Sequence, residues 1–283
     1  QFRIFSRALL SDEILDLSLN SPKSLIFNSD RDITEIAIDA SIKLDDLDNL
    51  TIFDLDNETN YTPITSEEIL YSDPDFFNDG SNVASYFFND NLNDASGKFN
   101  GVASTSINAN FSYEIGKFGK SIKTNSSTSS VNLGIPQGTS TLLVVSFWLK
   151  WNGVNAVTPI NLGTDATGVG QCLYFVNSLV GINSHNSDIT GFPSSGLNGI
   201  WKHLTVEFNT GKVGRIWIDG IEQKLISTSG TFNSSKAVTS NIPITIGFDG
   251  FGNFGEIDQV RVFNRSLLRD EIYSLFKETK QLK

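Results

Sequence analysis

The chain contains no methionine, one cysteine, two histidines and only seven prolines in 283 residues. Each scarcity removes a class of protein. A lone cysteine, Cys172, cannot close an internal disulfide, so this is not a disulfide-stapled scaffold. With His185 and His203 alone, there is no His-x-x-x-His or Cys-x-x-Cys metal pair, and no Gly-x-Ser-x-Gly elbow either. No run of about 18 apolar residues occurs, so no segment is expected to insert in a membrane. Without methionine, Gln1 is not expected to be a native start. The chain reads as a fragment or a processed product, and the lack of a targeting signal carries no information.

What is present points to strands. Phenylalanine is abundant at 21 residues, and Ser, Asn, Thr and Gly recur throughout. This suits many short strands joined by polar turns better than a helical bundle. A net charge of −11 repels nucleic acid phosphates and anionic lipid alike.

The chain also repeats itself. "QFRIFSRALLSDEILDL" at residue 1 returns as "QVRVFNRSLLRDEIYSL" at residue 259, and ten of twenty ungapped positions are identical. Both copies read as an apolar strand, a turn and a short amphipathic helix, with Leu268, Ile272, Leu275 and Phe276 on one face of the second. A strand and one helix cannot bury their own apolar faces. Residues 1–20 are therefore expected to close a preceding, truncated repeat, so that the parent protein carries the module in tandem. Residues 21–80 read as a small β-rich connector with an acidic run from Asp45 to Asp56, taken as a solvated face. Residues 81–283 form the main domain. "VASYFF", "TLLVVSFWLKW", "QCLYFVN", "SLVGIN", "KHLTVEFN" and "EIDQVRVF" are among its strands, and Asp219-Gly220 marks a tight hairpin. In "VVSFWLKW", Val145, Phe147 and Leu149 share one face, and Ser146, Trp148 and Lys150 the other.

Six phrases of this domain, in order, carry a resemblance: "YFFNDNLNDASGKFNG", "IGKFGKSIKTN", "VVSFWLKW", "IWKHLTVEFN", "GRIWIDGIEQ" and "GEIDQVRVFNRSLLRDEI". The domain resembles the laminin-G-like branch of the concanavalin A-like lectin and glucanase superfamily. The resemblance implies an all-β fold: an antiparallel jelly-roll β-sandwich with a short C-terminal helix.

That superfamily includes glucanases, whose resembling motif places two glutamates on one strand. Here "EIDQVR" offers Glu256 and Asp258, and Arg261 stands near the place of the second glutamate. One carboxylate cannot be both nucleophile and acid/base, so no catalytic residue is assigned. Cys172 in "QCLYF" reads as a buried small hydrophobe. Calcium wants several oxygen donors. If the first and last strands are neighbours, as in similar binding modules, Asp90, Asn93 and Asp94 could join Glu256 and Asp258 around a structural Ca2+. Asp94 could equally cap its Asp-x-Ser-Gly turn. A sugar needs an aromatic face and polar groups for its hydroxyls. Trp151, Tyr174, Asn183 and His185 are the candidates, whereas Trp148, Trp201 and Trp217 read as structural.

The sequence thus supports a non-catalytic carbohydrate-binding or adhesion module of an extracellular, cell-surface or virion-surface protein. Its expected partners are a carbohydrate or glycoprotein surface and neighbouring repeats of the same polypeptide, not nucleic acid. A purely structural spacer and a glycoside hydrolase with a non-standard carboxylate pair are the alternatives.

Overall fold

The computed structural model describes residues 74–103, 110–135, 141–164, 169–185, 188–233, 238 and 244–278. The expectations for residues 1–20, and for the connector as far as residue 73, lie outside the described residues. Among those described, the strands are β1 (Asn82–Tyr86), β2 (Val102–Ala103), β3 (Phe111–Ile115), β4 (Lys120–Thr124), β5 (Val131–Asn132), β6 (Leu142–Trp151), β7 (Val157–Thr164) and β8 (Val169–Val176). They continue as β9 (Leu179–Asn183), β10 (Ile189–Pro193), β11 (Lys202–Asn209), β12 (Lys212–Ile218), β13 (Ile221–Glu222), β14 (Ser227–Ser229), β15 (Ile244–Ile246) and β16 (Gly255–Phe263). Helix α1 (Arg269–Phe276) follows.

Two antiparallel sheets form. The first runs β13-β12-β11-β6-β16-β4-β3, with β1 also paired to β16. The second runs β14-β10-β9-β8-β7-β15-β5-β2. Their facing sides hold one apolar core. Val145, Phe147 and Leu149 of β6 meet Ile160, Leu173, Phe175 and Ile182 from the opposite sheet, all buried. The alternation in "VVSFWLKW" is therefore real: Trp148 lies on the other face, against His203 and Phe276. The Asp219-Gly220 hairpin also forms, with positive φ at both residues, as a two-residue turn matched to strand twist requires.

Strand β16 closes the first sheet. Gln259, at φ 47, marks a β-bulge where two residues stand opposite Phe147, because Asp258 pairs with Trp148 and Arg261 with Ser146. The bulge resets the alternation. Ile257, Val260 and Val262 enter the core, while Asp258, Arg261 and Phe263 all face outward.

That outward face is covered. Val144, Trp217 and Phe263 form a second small core with Leu267, Ile272 and Leu275, against which Phe76 and Phe77 also pack. Phe76 and Phe77 fall in the stretch assigned to the connector from sequence, yet they pack on the sandwich. Leu268 corrects the expected helical stripe, since it is 70% exposed and Leu267 is buried instead. Leu268 is the N-cap, with extended backbone, so the helical phase begins after it.

Two buried charges organise this layer. Arg261 is 1% exposed. It donates to Glu278 Oε1 at 2.9 Å and to Ser85 Oγ at 3.3 Å, and lies 4.9 Å from the Phe76 ring. It thereby ties β16 to β1 and to the end of the helix. Asp258 accepts from the backbone N–H of Phe118 at 2.9 Å and of Gln259 at 2.8 Å, which pins the β3–β4 turn to β16. A Cβ on Gly116 would lie 2.6 Å from this carboxylate, so only glycine fits there. Burial pushes the Asp258 carboxyl up to about 7, against the pull of its N–H donors.

Two predictions follow from these charges. Arg261→Ala leaves Glu278 buried without its main partner and should cost about 3–5 kcal/mol in urea unfolding, with Arg261→Met milder. For Asp258 the folded value lies above the unfolded one, so its stabilising contribution is complete below pH ~4 and is lost as pH rises through about 7. Asp258→Asn cannot ionise, so its melting temperature relative to wild type should climb between pH ~4 and ~8. A constant offset across that range would contradict this.

Candidate functional site

The outer face of the second sheet differs from the helix-covered one. Facing away from the core on adjacent strands are Asn161 of β7, Cys172 of β8 and Asn183 of β9, in register. In the next row Tyr174 of β8 stands opposite Gly181 of β9, and Gly181 opposite Gly191 of β10. No side chain therefore walls Tyr174 on that side.

A β-turn supplies the aromatic surface beside it. Phe248-Asp249-Gly250-Phe251 connects β15 to β16, closed by Phe251 N–H donating to Phe248 O at 2.8 Å. Gly250 has φ 86, the left-handed geometry a type II turn demands at this position. Thr158 N–H donates to Phe251 O at 2.9 Å, and Gly252 N–H to Ser127 O at 2.7 Å, so the turn is clamped on both sides. The rings of Phe248 and Phe251 lie nearly parallel, 6.0 Å apart. Phe251 contacts Tyr174 edge-on at 6.0 Å, and Phe248 contacts His185 at 5.7 Å. The result is a continuous aromatic row: Tyr174, Phe251, Phe248 and His185. Phe251 is exposed and Tyr174 half-buried. The partial burial of Tyr174 raises its phenol above the usual value.

Polar groups flank the row. Asp249 is exposed between the two phenylalanines and makes no hydrogen bond or ion pair among the described residues. The His185 ring is fixed, its Nε2 donating to Asn161 Oδ1 at 2.9 Å.

The four sugar-binding candidates divide. Tyr174 and His185 join this row. Asn183 is 7% exposed and works inside the fold: its Oδ1 accepts His185 N–H at 2.6 Å, and its Nδ2 donates to Asp188 O. It positions His185. The Trp151 ring packs on Phe175, 4.8 Å away, and its Nε1 donates to Val154 O at 2.9 Å. It anchors the β6–β7 loop apart from the row. Phe248, Phe251 and Asp249 were missed in the sequence because "FDGFGNFG" reads as a turn. The available signal was two phenylalanines three residues apart in a glycine turn, which places both rings at its corners.

The five calcium candidates do not gather. Asp94 is 2% exposed. Its carboxylate accepts Ser85 N–H at 2.9 Å, Lys98 N–H and Phe99 N–H at 3.2 Å each, and the Ser96 hydroxyl. Asp94 is thus the cap of its turn. Asp90 pairs with Lys120 at 2.7 Å, and Glu256 with Lys150 at 3.1 Å. Asn93 is exposed on the turn, and Asp258 holds backbone N–H groups. No group of three or more His, Cys, Asp or Glu able to hold a metal occurs among the described residues. Asp94 and Asp258 hold N–H groups, and Asp90 and Glu256 pair with lysines, so these carboxylates do not come together around a shared cation.

The glucanase-like strand offers no open carboxylate pair either, since Asp258 is fully buried and Arg261 beside it is ion-paired. His203 sits under α1, where burial holds its imidazole neutral, down to about 3. Among the described residues, no helix is long and apolar enough to cross a membrane.

Comparison with known proteins accords with this architecture. A family model described as the concanavalin A-like lectin/glucanases superfamily matches residues 123–273. No curated protein matches the chain. Among solved structures, the chain is similar to domain 4 of AbnA, a GH43 extracellular arabinanase from Geobacillus stearothermophilus, in complex with arabinotriose. Identity is 21% and the TM-score 0.51, covering 70% of this chain and 98% of that one. It is also similar to the binding domain of Paraclostridial Mosquitocidal Protein 1, at 20% identity and TM-score 0.50, covering 69% of this chain and 52% of that one. This chain thus spans about half of that second protein. At such identities the likeness shows the fold. The family model covers just over half of the chain, so, with the sandwich topology in agreement, the chain belongs to the concanavalin A-like lectin/glucanase superfamily.

Proposed function

We propose that this chain is a non-catalytic carbohydrate-binding module and that its ligand lies on the aromatic row of the second sheet. The carrying observation is the clamped Phe248–Phe251 turn, which holds two parallel rings beside Tyr174 with a free carboxylate, Asp249, between them. Apolar ring faces match the C–H faces of a pyranose or furanose, and a carboxylate accepts from sugar hydroxyls. Because the turn is fixed before any ligand arrives, little ordering entropy opposes binding. The sugar complex of the arabinanase domain supports the same reading by analogy of fold. The near repetition of residues 1–20 at 259–278 supports a place in a series of such modules on a secreted or surface protein.

A glycan array followed by calorimetry with the best oligosaccharide tests the reading. Phe251→Ala and Tyr174→Ala should each weaken binding about ten-fold, roughly 1.4 kcal/mol. Their melting temperatures should stay near wild type, and Asp249→Asn should weaken binding less. EDTA should leave the affinity unchanged, because the acidic candidates serve internal contacts. Silence across a broad panel would turn the reading toward a structural spacer.

A further inference from the structure

The two sheets divide the charge of the chain between them. Among the described residues, the eight strands of the second sheet contain no lysine, arginine, aspartate or glutamate. The strands of the first sheet carry them freely, Lys123, Lys150, Lys202, Glu207, Arg215 and Glu256 among them. The sequence extends this contrast beyond the strands. Residues 151–201 and 237–260 supply β7 to β10, β15 and the Phe248–Phe251 turn, and they hold no lysine or arginine at all. The aromatic row is therefore built from segments that bring no ammonium or guanidinium to it.

One acid does stand there. Asp249 is exposed on the clamped turn whose first and last residues carry the parallel rings, and no described cation pairs with it. Asp90 and Asp79, also exposed, are each answered by a cation, Lys120 and Arg265. The other acid near the row, Asp188, is 3% exposed, and its carboxylate accepts the Ser184 N–H at 3.0 Å and hydroxyl at 2.9 Å. The His185 ring, at the far end of the row, is held by Asn161. Aromatic faces are themselves the negative side of a quadrupole. A free carboxylate on the same turn as two such rings, with no opposing cation, gives this surface one sign of field.

We infer that the row, on the carbohydrate reading given above, selects amino sugars whose nitrogen is free and protonated. Such a sugar offers its C–H faces to Phe251 and Tyr174 as any sugar does. It adds an ammonium that the carboxylate and the ring faces both attract. An exposed ion pair and an exposed cation–π contact are each modest, and together they favour the charged sugar about ten-fold over its N-acetylated form. Acetylation turns the ammonium into a neutral amide and removes both contributions. A uronic or sulfated sugar brings a second negative charge to Asp249, with no lysine or arginine in these segments to receive it. The ligand class is thus a de-N-acetylated, cationic glycan.

Calorimetry with chitosan tetrasaccharide, its N-acetylated form and cellotetraose tests this at about pH 5, where an amine is protonated. The chitosan tetrasaccharide should bind about ten-fold tighter than the two neutral ones, and added salt should erase most of the gap. Asp249→Asn should bring it down to the neutral pair with little change in that pair, whereas Phe251→Ala should weaken all three. Glu222→Gln, exposed on β13 of the other sheet, removes the same charge and should leave the preference intact. That variant separates a local contact from attraction to the net charge of −11. Equal affinities, a preference that survives Asp249→Asn, or one lost equally in Glu222→Gln overturns the inference. Binding of neutral or acidic glycans alone overturns it too. In each of those cases the carbohydrate reading still stands if Phe251→Ala lowers the affinity that is measured. Silence of every glycan, here and on the array, removes both.

Discussion

The last strand among the described residues lies in the middle of its sheet. Strand β16 pairs with β6 on one side and with β1 and β4 on the other. The first sheet therefore remains incomplete until residues 255–263 arrive, and β1 waits for a partner far along the chain. Such non-local pairing makes the fold cooperative and comparatively slow to form. The bulge at Gln259 is what lets this strand serve two layers. It delivers Val260 and Val262 to the central core while presenting Asp258, Arg261 and Phe263 to the helix side.

The helix side is an interior built from unusual materials. Arg261, Asp258 and His203 are all buried there, beside Trp148 and Trp217. Each charged group is tied to something specific: Arg261 to Glu278, Asp258 to backbone N–H groups. Their contribution is register and closure more than net stability, since burying ions costs much of what their pairing returns. The strand that resembles a glucanase motif thereby keeps its carboxylates for architecture. With one face sealed by α1, the aromatic row of the other sheet is where a ligand surface can be sought.

The same division explains why the candidate site was half legible. Tyr174 and His185 could be named in the sequence because they are polar aromatics in or beside strands. Asn183 looked equivalent, but its strand position turns its amide toward the His185 loop. Trp151 was named with them, yet the end of β6 directs its ring against Phe175. Phe248 and Phe251 read as corners of a glycine turn, and only the clamps from Thr158 and Ser127 make that turn a platform. Strand β3 was also passed over, although Phe111, Tyr113 and Ile115 alternate there as a strand should.

By itself the sequence determined the layer structure. Period-two alternation and turn chemistry are local, and they set the strands, the Asp219-Gly220 hairpin and the closing strand with its helix. Composition determined that no internal disulfide could brace the chain. The turn cap at Asp94 is local and readable in Asp-x-Ser-Gly, but tertiary structure alone decided that Asp258 was taken, because its Phe118 N–H donor lies 140 residues away in the chain. It also decided which aromatics share a surface, for the row joins residues from 174 to 251 that only sheet pairing and loop closure bring side by side.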